Sequence, residues 1–239
     1  MSEIHEICND WKSFSIKIVQ ESDIPRIKTY LTSNFHLDEP VGQKLPQDDE
    51  FIEHTNEKMG LLLSKHQGLS LMAVDQKSRD IAGVQLMFIW KKEDAELEKA
   101  HLTGRLNSDS ETPPAAIFRQ RKVMNAMYAP MKKTQLGLFD TYKVEEIGWN
   151  FVASTGRSYR GQGLASELSR RMILLLQSTK VKLTFSMFTS PFSRRCATRN
   201  GFVEIDRCHW SEALDEDGKA VMPDAHGPED FVALMILKL

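Results

Sequence analysis

Residues 159–165 read Tyr-Arg-Gly-Gln-Gly-Leu-Ala, and they lie between a strand-like segment and an amphipathic one. Residues 146–154 before them have strand composition. After them, apolar residues at helical spacing form one stripe: Leu164, Leu168, Met172, Leu175 and Leu176. The first N–H groups of such a helix lack internal partners, and its dipole presents partial positive charge there. The stretch therefore predicts an anion-binding turn.

The residue types of this turn suit a pyrophosphate. Gly161 and Gly163 lack the Cβ that would obstruct a close approach, and Arg160 adds a cation. The backbone of 160–165, which includes Gln162, Leu164 and Ala165, is predicted to wrap the ligand. In isolation the glycines are better explained by a tight turn without a ligand.

Two common nucleotide motifs are excluded by the spacing. No Gly-Lys-Ser/Thr follows the glycines, which a P-loop requires. Ser166 stands where the third glycine of a dinucleotide fingerprint belongs, and no early βαβ unit precedes it. ATP and NAD are therefore not the expected ligands.

Outward from the turn, apolar periodicity predicts a mixed α/β chain without internal repeats. Strands are expected at 15–20, 69–74, 81–90, 146–154, 182–189, 202–210 and 231–239. Helices are expected at 24–31 with Ser22 or Asp23 as N-cap, at 49–66, at 115–131, after the turn, and at 192–199. The two strands flanking 75–80 should form a hairpin. Pro40 and Gly42 predict a loop over 34–45.

Bulk properties restrict the partners and the compartment. The chain has 239 residues, 41% of them hydrophobic and 27% charged, with 31 Lys and Arg against 33 Asp and Glu. This composition is typical of a soluble globular protein and favours neither nucleic acid nor an anionic membrane as partner. Without a Pro-rich or Gly/Ser-rich linker, one domain over 1–239 is expected, with a charged insertion at about 91–114.

The cysteines and the terminal segment point to a reducing compartment. Three widely spaced cysteines without a CxxC pair disfavour a disulfide framework and a zinc site, so no metal is expected. The first residues lack the pattern of a leader, and no run approaches the roughly 18 apolar residues of a membrane span. A cytoplasmic location is predicted.

The turn after a strand resembles the acetyl-CoA motif of the Gcn5-related N-acetyltransferase superfamily, Arg/Gln-x-x-Gly-x-Gly/Ala. Arg160, Gly163 and Ala165 match it, and Asn200-Gly201-Phe202 resembles the superfamily's Gly-Phe after a short helix. The resemblance covers about residues 15–239. It implies a central, mostly antiparallel mixed sheet of about seven strands with flanking helices and acetyl-CoA as co-substrate. It also implies pantetheine binding by Ala153, Ser154 and Thr155.

Upstream, Asp38-Glu39-Pro40 resembles the Asp-Glu-Pro of insect dopamine-type arylalkylamine N-acetyltransferases, and 218–239 resembles their closing hairpin. In that subgroup the Glu is the proposed general base. A protonated primary amine must lose a proton before it attacks a thioester, and Glu39 can accept it. Pro40 should hold Glu39 extended, and Asp38 should attract a cationic amine. A solvated turn is the alternative interpretation.

One departure from the superfamily concerns the leaving thiolate. Many members carry a Tyr five residues before the Phe of Gly-Phe, where this chain has Ala197. That Tyr protonates the departing thiolate. Thr189 and Ser193 resemble two hydroxyl positions proposed to do so in the insect enzymes, and Ser193 is also expected at the cofactor. Ser193 is equally well explained as an N-cap. Because a thiol has a pKa of about 8.5, its thiolate leaves without an obligatory acid.

The sequence thus predicts direct acetyl transfer to the primary amine of a small molecule, an arylalkylamine by resemblance. A backbone N–H of Ser154 or Thr155 is expected to stabilise the oxyanion. Polyamines are alternatives within the class. A different class, a catalytically weak acyl-CoA-binding module, is motivated by Ala197 and by the charged insertion.

Overall fold

A computed structural model describes residues 6–44, 47–96, 115–215 and 217–239. Within these ranges eight strands form one sheet in the order β1-β2-β3-β4-β5-β6-β8-β7, antiparallel except for β5 and β6. The strands are β1 Asp10–Trp11, β2 Phe14–Ile18, β3 Leu71–Asp75, β4 Ile81–Lys91, β5 Glu146–Thr155, β6 Leu183–Phe188, β7 Val203–His209 and β8 Phe231–Lys238. The mixed, mostly antiparallel sheet is confirmed, and β1 adds an eighth strand to the expected seven.

The helices connect these strands and cover both faces of the sheet. They are α1 Ile24–Tyr30, α2 Pro40–Lys44, α3 Asp49–Lys65, α4 Ala115–Leu136, α5 Leu138–Tyr142, α6 Leu164–Gln177 and α7 Pro191–Arg199. A π-helical turn, Leu31–Phe35, continues α1, and Arg157–Tyr159 forms a 3-10 turn before the glycines. The predicted helices and the β3–β4 hairpin are confirmed to within a few residues at their ends, except that α4 extends to Leu136.

The loop predicted over 34–45 is wrong. The chain continues in helical conformation to Asp38, and α2 begins at Pro40. Proline is compatible with the first turn of a helix, where its missing N–H needs no partner. It therefore separates two helical pieces here instead of ending helical structure. Of the predicted insertion, Lys91 ends β4, 92–96 are helical, and the remainder lies outside the described residues.

Two apolar layers stabilise the sheet, one on each face. Strand β8 shows the alternation: Val232, Leu234 and Ile236 pack with α4 and α5 residues. Ala233 and Met235 face the opposite way, toward Ala197 of α7. Helix α6 covers the same side as α7 through its predicted stripe, which packs on β2, β3 and β4. The sheet thus separates α1, α3 and α4 from α6 and α7.

The central feature of the sheet is a wedge between β5 and β6. These parallel strands pair only at Gly148 with Thr184 and at Trp149 with Phe185. The Ser186 hydroxyl donates to the Asn150 carbonyl at 2.7 Å, just beyond the last pair. From there β5 continues beside β4 alone, and β6 beside β8 alone. The diverging strands leave an open edge on each side.

Candidate active site

The glycine-rich turn has the backbone that only glycine adopts readily. Gly161 has φ +76° and Gly163, directly before α6, has φ +88°. A Cβ added at Gly161 would meet no atom within 4 Å, so space is open above the turn. The Leu164 side chain is buried in the core, which leaves only its backbone for a ligand. The turn therefore presents helix N–H groups to open space, as a phosphate site requires.

The last residues of β5 present backbone groups to the wedge. The Gly156 N–H donates to the Ala82 carbonyl on β4 at 2.9 Å. Alternate residues of an antiparallel strand direct their backbone groups to the same side. Ser154 therefore bonds toward β4, whereas Ala153 and Thr155 face the open edge. The Thr155 carbonyl accepts a bond from Arg160 Nε at 3.0 Å, in agreement with this direction.

A β-bulge interrupts β5 where the wedge begins. Leu86 pairs with Val152 and Met87 with Asn150, so Phe151 has no residue opposite it. Bulges leave backbone groups unpaired and re-aim side chains. The bulge places Val152 on the face of α1 and α3, with Tyr30 and Phe88. Sequence analysis missed it, because nothing in the strand pattern of 146–154 indicates an extra residue.

Asn150 provides a buried acceptor at the apex of the wedge. Its side chain is 4% exposed, and its Oδ1 has no hydrogen-bond partner among the described residues. By strand alternation it lies on the same face as Gly148, whose absent Cβ faces Leu176 of α6. Buried polar atoms in native proteins nearly always have a partner. A ligand donor or a water in the wedge would supply it.

Asp38 is paired with both arginines of the turn region. Its Oδ1 accepts bonds from Arg157 Nε at 2.9 Å and Nη2 at 2.6 Å, and its Oδ2 accepts from Arg160 Nη2. Partial burial opposes ionisation, but the two guanidinium groups outweigh it and lower the pKa of Asp38. This corrects the expectation that Asp38 attracts a cationic amine, because its charge is already compensated.

Glu39 is extended, as Pro40 predicts, with φ −68° and ψ 121°. Its carbonyl accepts from Gln43 N–H at 3.0 Å and its Oε2 from Gly42 N–H at 2.7 Å, so Glu39 caps α2. Burial raises the pKa of Glu39, although bonds from Gly42, the Thr189 hydroxyl and the Val41 backbone act in the opposite direction. The structure thus brings together Glu39 and Thr189, two predicted catalytic residues.

Two tyrosines that sequence analysis missed lie near the segment 38–39, Tyr30 on the side of Asp38 and Tyr128 on the side of Glu39. Burial, and then the charge of Glu39, raise the pKa of Tyr128 on α4 well above its usual range. Burial likewise raises the pKa of Tyr30 to about 12, and its hydroxyl lies 3.2 Å from Ser154 Oγ. Both phenols are protonated near neutrality. No local motif marks them, because they reach the site from helices distant in sequence.

The remaining predicted hydroxyl, Ser193, lies in the first turn of α7. Its Oγ donates to the Ser190 carbonyl at 2.9 Å, and Ser190 itself is the N-cap, accepting from Phe192 N–H. The N-cap interpretation of Ser193 is therefore wrong. Ala197 is 3% exposed and packs in the core cluster of Phe188 and Phe202.

The described residues include no group of three or more His, Cys, Asp or Glu side chains arranged to hold a metal ion. Nor does any helix in the described part of the chain have the length and apolarity to cross a membrane.

The fold of this chain is similar to that of solved N-acetyltransferases. Arylalkylamine N-acetyltransferase 2 from Aedes aegypti superimposes with a TM-score of 0.74 at 19% identity, over 95% of this chain and 99% of that one. A putative arylalkylamine N-acetyltransferase 7 from the same mosquito gives 0.73 at 22%, over 94% and 87%. The fold expected from the sequence resemblance is thereby confirmed.

A structure named for another amine class is equally similar. The polyamine N-acetyltransferase of Drosophila melanogaster, described as forming N-acetylagmatine, gives a TM-score of 0.73 at 14% identity, over 95% of this chain and 100% of that one. No model of a protein family matches the chain, and no curated protein matches it.

Proposed function

We propose that the protein is an acetyl-CoA-dependent N-acetyltransferase that acts on the primary amine of a small molecule. One observation carries the proposal. Asp38 binds the arginines that follow β5, and Thr189, which follows β6, lies close enough to Glu39 to lower the pKa of its carboxyl. The segment 38–39 therefore spans the open end of the wedge, with the Glu39 carboxylate beside the end of β6.

The residues present fit acetyl-CoA. The turn at 160–165 offers glycine backbone and helix N–H groups to the pyrophosphate. Ala153 and Thr155 offer backbone groups of the open edge to the amides of pantetheine. Asn150 adds, at the apex of the wedge, a buried acceptor that has no partner within the described ranges. Acetyl-CoA supplies an acetyl group activated as a thioester.

The chain's own groups account for the proton transfers. Glu39 accepts a proton from the ammonium group, and the free amine nitrogen then attacks the acetyl carbon. The C–N bond forms as the C–S bond breaks, the nitrogen releases a second proton to become the amide, and the departing thiolate takes up one proton. Backbone N–H groups at the open edge of β5 stabilise the charge that develops on the carbonyl oxygen. Thr189 and Ser193 are the candidates for the final protonation.

An aromatic amine is favoured by two rings on the face opposite α6. The Phe151 side chain is 38% exposed at the bulge. Trp149 meets it edge-to-face with centroids 4.7 Å apart. Such a pair offers an amphipathic aromatic substrate a stacking surface. The names of the similar structures, which include arylalkylamine and polyamine N-acetyltransferases, support an amine substrate.

Thiol release from acetyl-CoA tests the proposal. Purified protein should release CoA in the presence of dopamine, tyramine or serotonin, and more slowly with spermidine or agmatine. Glu39→Gln keeps an acceptor for the Gly42 N–H and should lose about a hundredfold to ten-thousandfold in kcat/KM, with CoA affinity retained. The exposed Glu57→Gln serves as control.

Two results would oppose the proposal. Tight acetyl-CoA binding without amine-dependent thiol release across the panel would favour an acyl-CoA-binding module, the interpretation that Ala197 motivates. A Glu39→Gln enzyme as fast as the parent would remove Glu39 from the chemistry.

A further inference from the structure

The short hairpin of β1 and β2 lies beside the glycine-rich turn. Asp10 pairs with Ser15 and Trp11 with Phe14, so Lys12 and Ser13 form its tip. Lys12 has φ +53°, an uncommon conformation for a residue with a side chain. Strand β1 and the tip precede residue 15, where the region of resemblance begins, whereas almost all of β2 lies within it.

Contacts fix the tip of the hairpin onto the turn. Lys12 Nζ donates to the Gln162 carbonyl at 2.6 Å and lies 4.3 Å from the centroid of the Trp11 ring. A Cβ added at Gly163 would lie 3.6 Å from Trp11 and 4.0 Å from Lys12 Nζ. Phe14 packs edge-to-face on Tyr159, with centroids 5.7 Å apart. The ammonium group therefore lies beside the glycines that precede α6.

The other cations of the turn are already paired. Asp38 binds both Arg157 and Arg160, which reduces the charge that either offers to a phosphate. The contacts of Lys12 with the described residues are a neutral carbonyl and a neutral ring. An ammonium group has three donors, and the Gln162 carbonyl takes one. With respect to the described part of the chain, Lys12 thus supplies an uncompensated positive charge with free donors at this position.

We propose that Lys12 binds the pyrophosphate of the cofactor, so that the N-terminal hairpin is part of the cofactor site. The inference rests on the proposed function and adds a residue that the acetyl-CoA motif does not contain. A purely structural role, in which Lys12 only secures the Gln162 carbonyl, makes a different prediction. It would reduce stability without distinguishing phosphorylated ligands from pantetheine.

Calorimetric titration of Lys12→Ala and Lys12→Arg with CoA, 3′-dephospho-CoA and pantetheine tests the assignment. Lys12→Ala should raise the Kd for CoA and dephospho-CoA by the same factor, about tenfold to a hundredfold, because a charged hydrogen bond is lost. Its Kd for pantetheine should not change. Lys12→Arg should restore most of the affinity. The exposed Lys180→Ala, beyond the opposite end of α6, should match the parent.

The dependence of ligand affinity on salt concentration provides a second measurement. The Kd for dephospho-CoA should rise less steeply with KCl concentration in Lys12→Ala than in the parent, because one screened ionic contact is missing.

Three results would overturn the assignment: an unchanged Kd, an equal loss for pantetheine, or a loss for CoA alone, which would place Lys12 at the 3′-phosphate. If the parent protein bound none of the three ligands, the proposed function would fail with it. A parent that binds CoA beside an unaffected Lys12→Ala would refute only the role of Lys12.

Discussion

Arg157 Nη2 lies 2.6 Å from Asp38 Oδ1, so the turn after β5 is ion-paired with the residue that precedes Glu39. Arg160 binds the other oxygen of the same carboxylate. An arginine predicted to serve the cofactor therefore also holds the segment that carries the proposed base. The two halves of the site are mechanically connected through one carboxylate.

Replacing Asp38 with Asn should separate cofactor binding from catalysis. A neutral amide cannot compensate two guanidinium groups, so Arg160 becomes available to the pyrophosphate while Glu39 loses its anchor. We expect kcat to fall about tenfold, whereas the Kd for CoA stays equal or decreases. Steady-state kinetics and calorimetry measure the two effects. Glu204→Gln, which removes an exposed ion pair with Arg207, is the matched control. A parallel loss of CoA affinity and kcat would contradict this interpretation.

The raised pKa of Glu39 sets the acid limb of activity. A general base must be ionised, so kcat/KM should fall as the pH decreases through a pKa that burial places above the ordinary value for glutamate. Thr189→Val removes a donor that favours the ionised form and should move this limb to higher pH. When kcat/KM is measured against pH with the same amine for both enzymes, the ionisation of the amine affects both profiles equally and cancels in the comparison. An acid limb that stays at the same pH, or moves to lower pH, would exclude Thr189 as a partner of Glu39.

The same carboxylate should make stability depend on pH. Because the pKa of Glu39 is raised in the folded state, folding favours its neutral form, and this carboxylate destabilises the fold increasingly as the pH rises through that pKa. The free energy of unfolding of Glu39→Gln, relative to the parent, should therefore increase between pH 4 and pH 7.

The cap made by Glu39 is tested by a second variant. Glu39→Ala leaves the Gly42 N–H without its acceptor and should cost about 1 kcal/mol. Urea unfolding of the parent and both variants measures both effects. A Glu39→Gln variant that loses relative stability as the pH rises would contradict the assigned direction.

Glycine substitutions at the turn should reduce binding more than folding. Asparagine tolerates the left-handed conformation, so Gly161→Asn should cost less than about 1 kcal/mol in stability. Its side chain would enter the open space above the turn and raise the Kd for CoA at least tenfold. Gly218→Asn is the control, since Gly218 also has positive φ and open surroundings. Equal CoA affinity in the two variants would show that the pyrophosphate binds elsewhere.

Patterns of neighbouring residues predicted the helices and strands whose apolar residues follow a regular spacing. The apolar stripe of α6 and the nearly continuous apolar runs of β3 and β4 were sufficient, because α6 is buried along one face and the two strands are buried on both. The segment 34–45 was misassigned because Pro40 is compatible both with a loop and with the start of a helix. Sequence alone offers no means of deciding, since neighbouring packing selects between them.

The candidate site also has a part that the sequence predicted and a part that it did not. Arg160, Gly161 and Gly163 are neighbours in sequence, and their chemistry is visible as a motif. Lys12, by contrast, meets Gln162 only through the folded sheet. The buried Asn150 and the bulge at Phe151 depend on how two strands diverge. Contacts between residues distant in sequence cannot be predicted from the periodicity of either segment.

The wedge between β5 and β6 has a consequence for the evolution of such a protein by amino-acid substitution. The glycine-rich turn and α6 lie on one side of the sheet, and α1, α3 and α4 lie on the other. Under the proposed function, substitutions on the second side can alter which amine is bound without disturbing cofactor binding on the first. A scaffold of this shape can therefore acquire new acceptors by piecemeal change, while its donor stays the same.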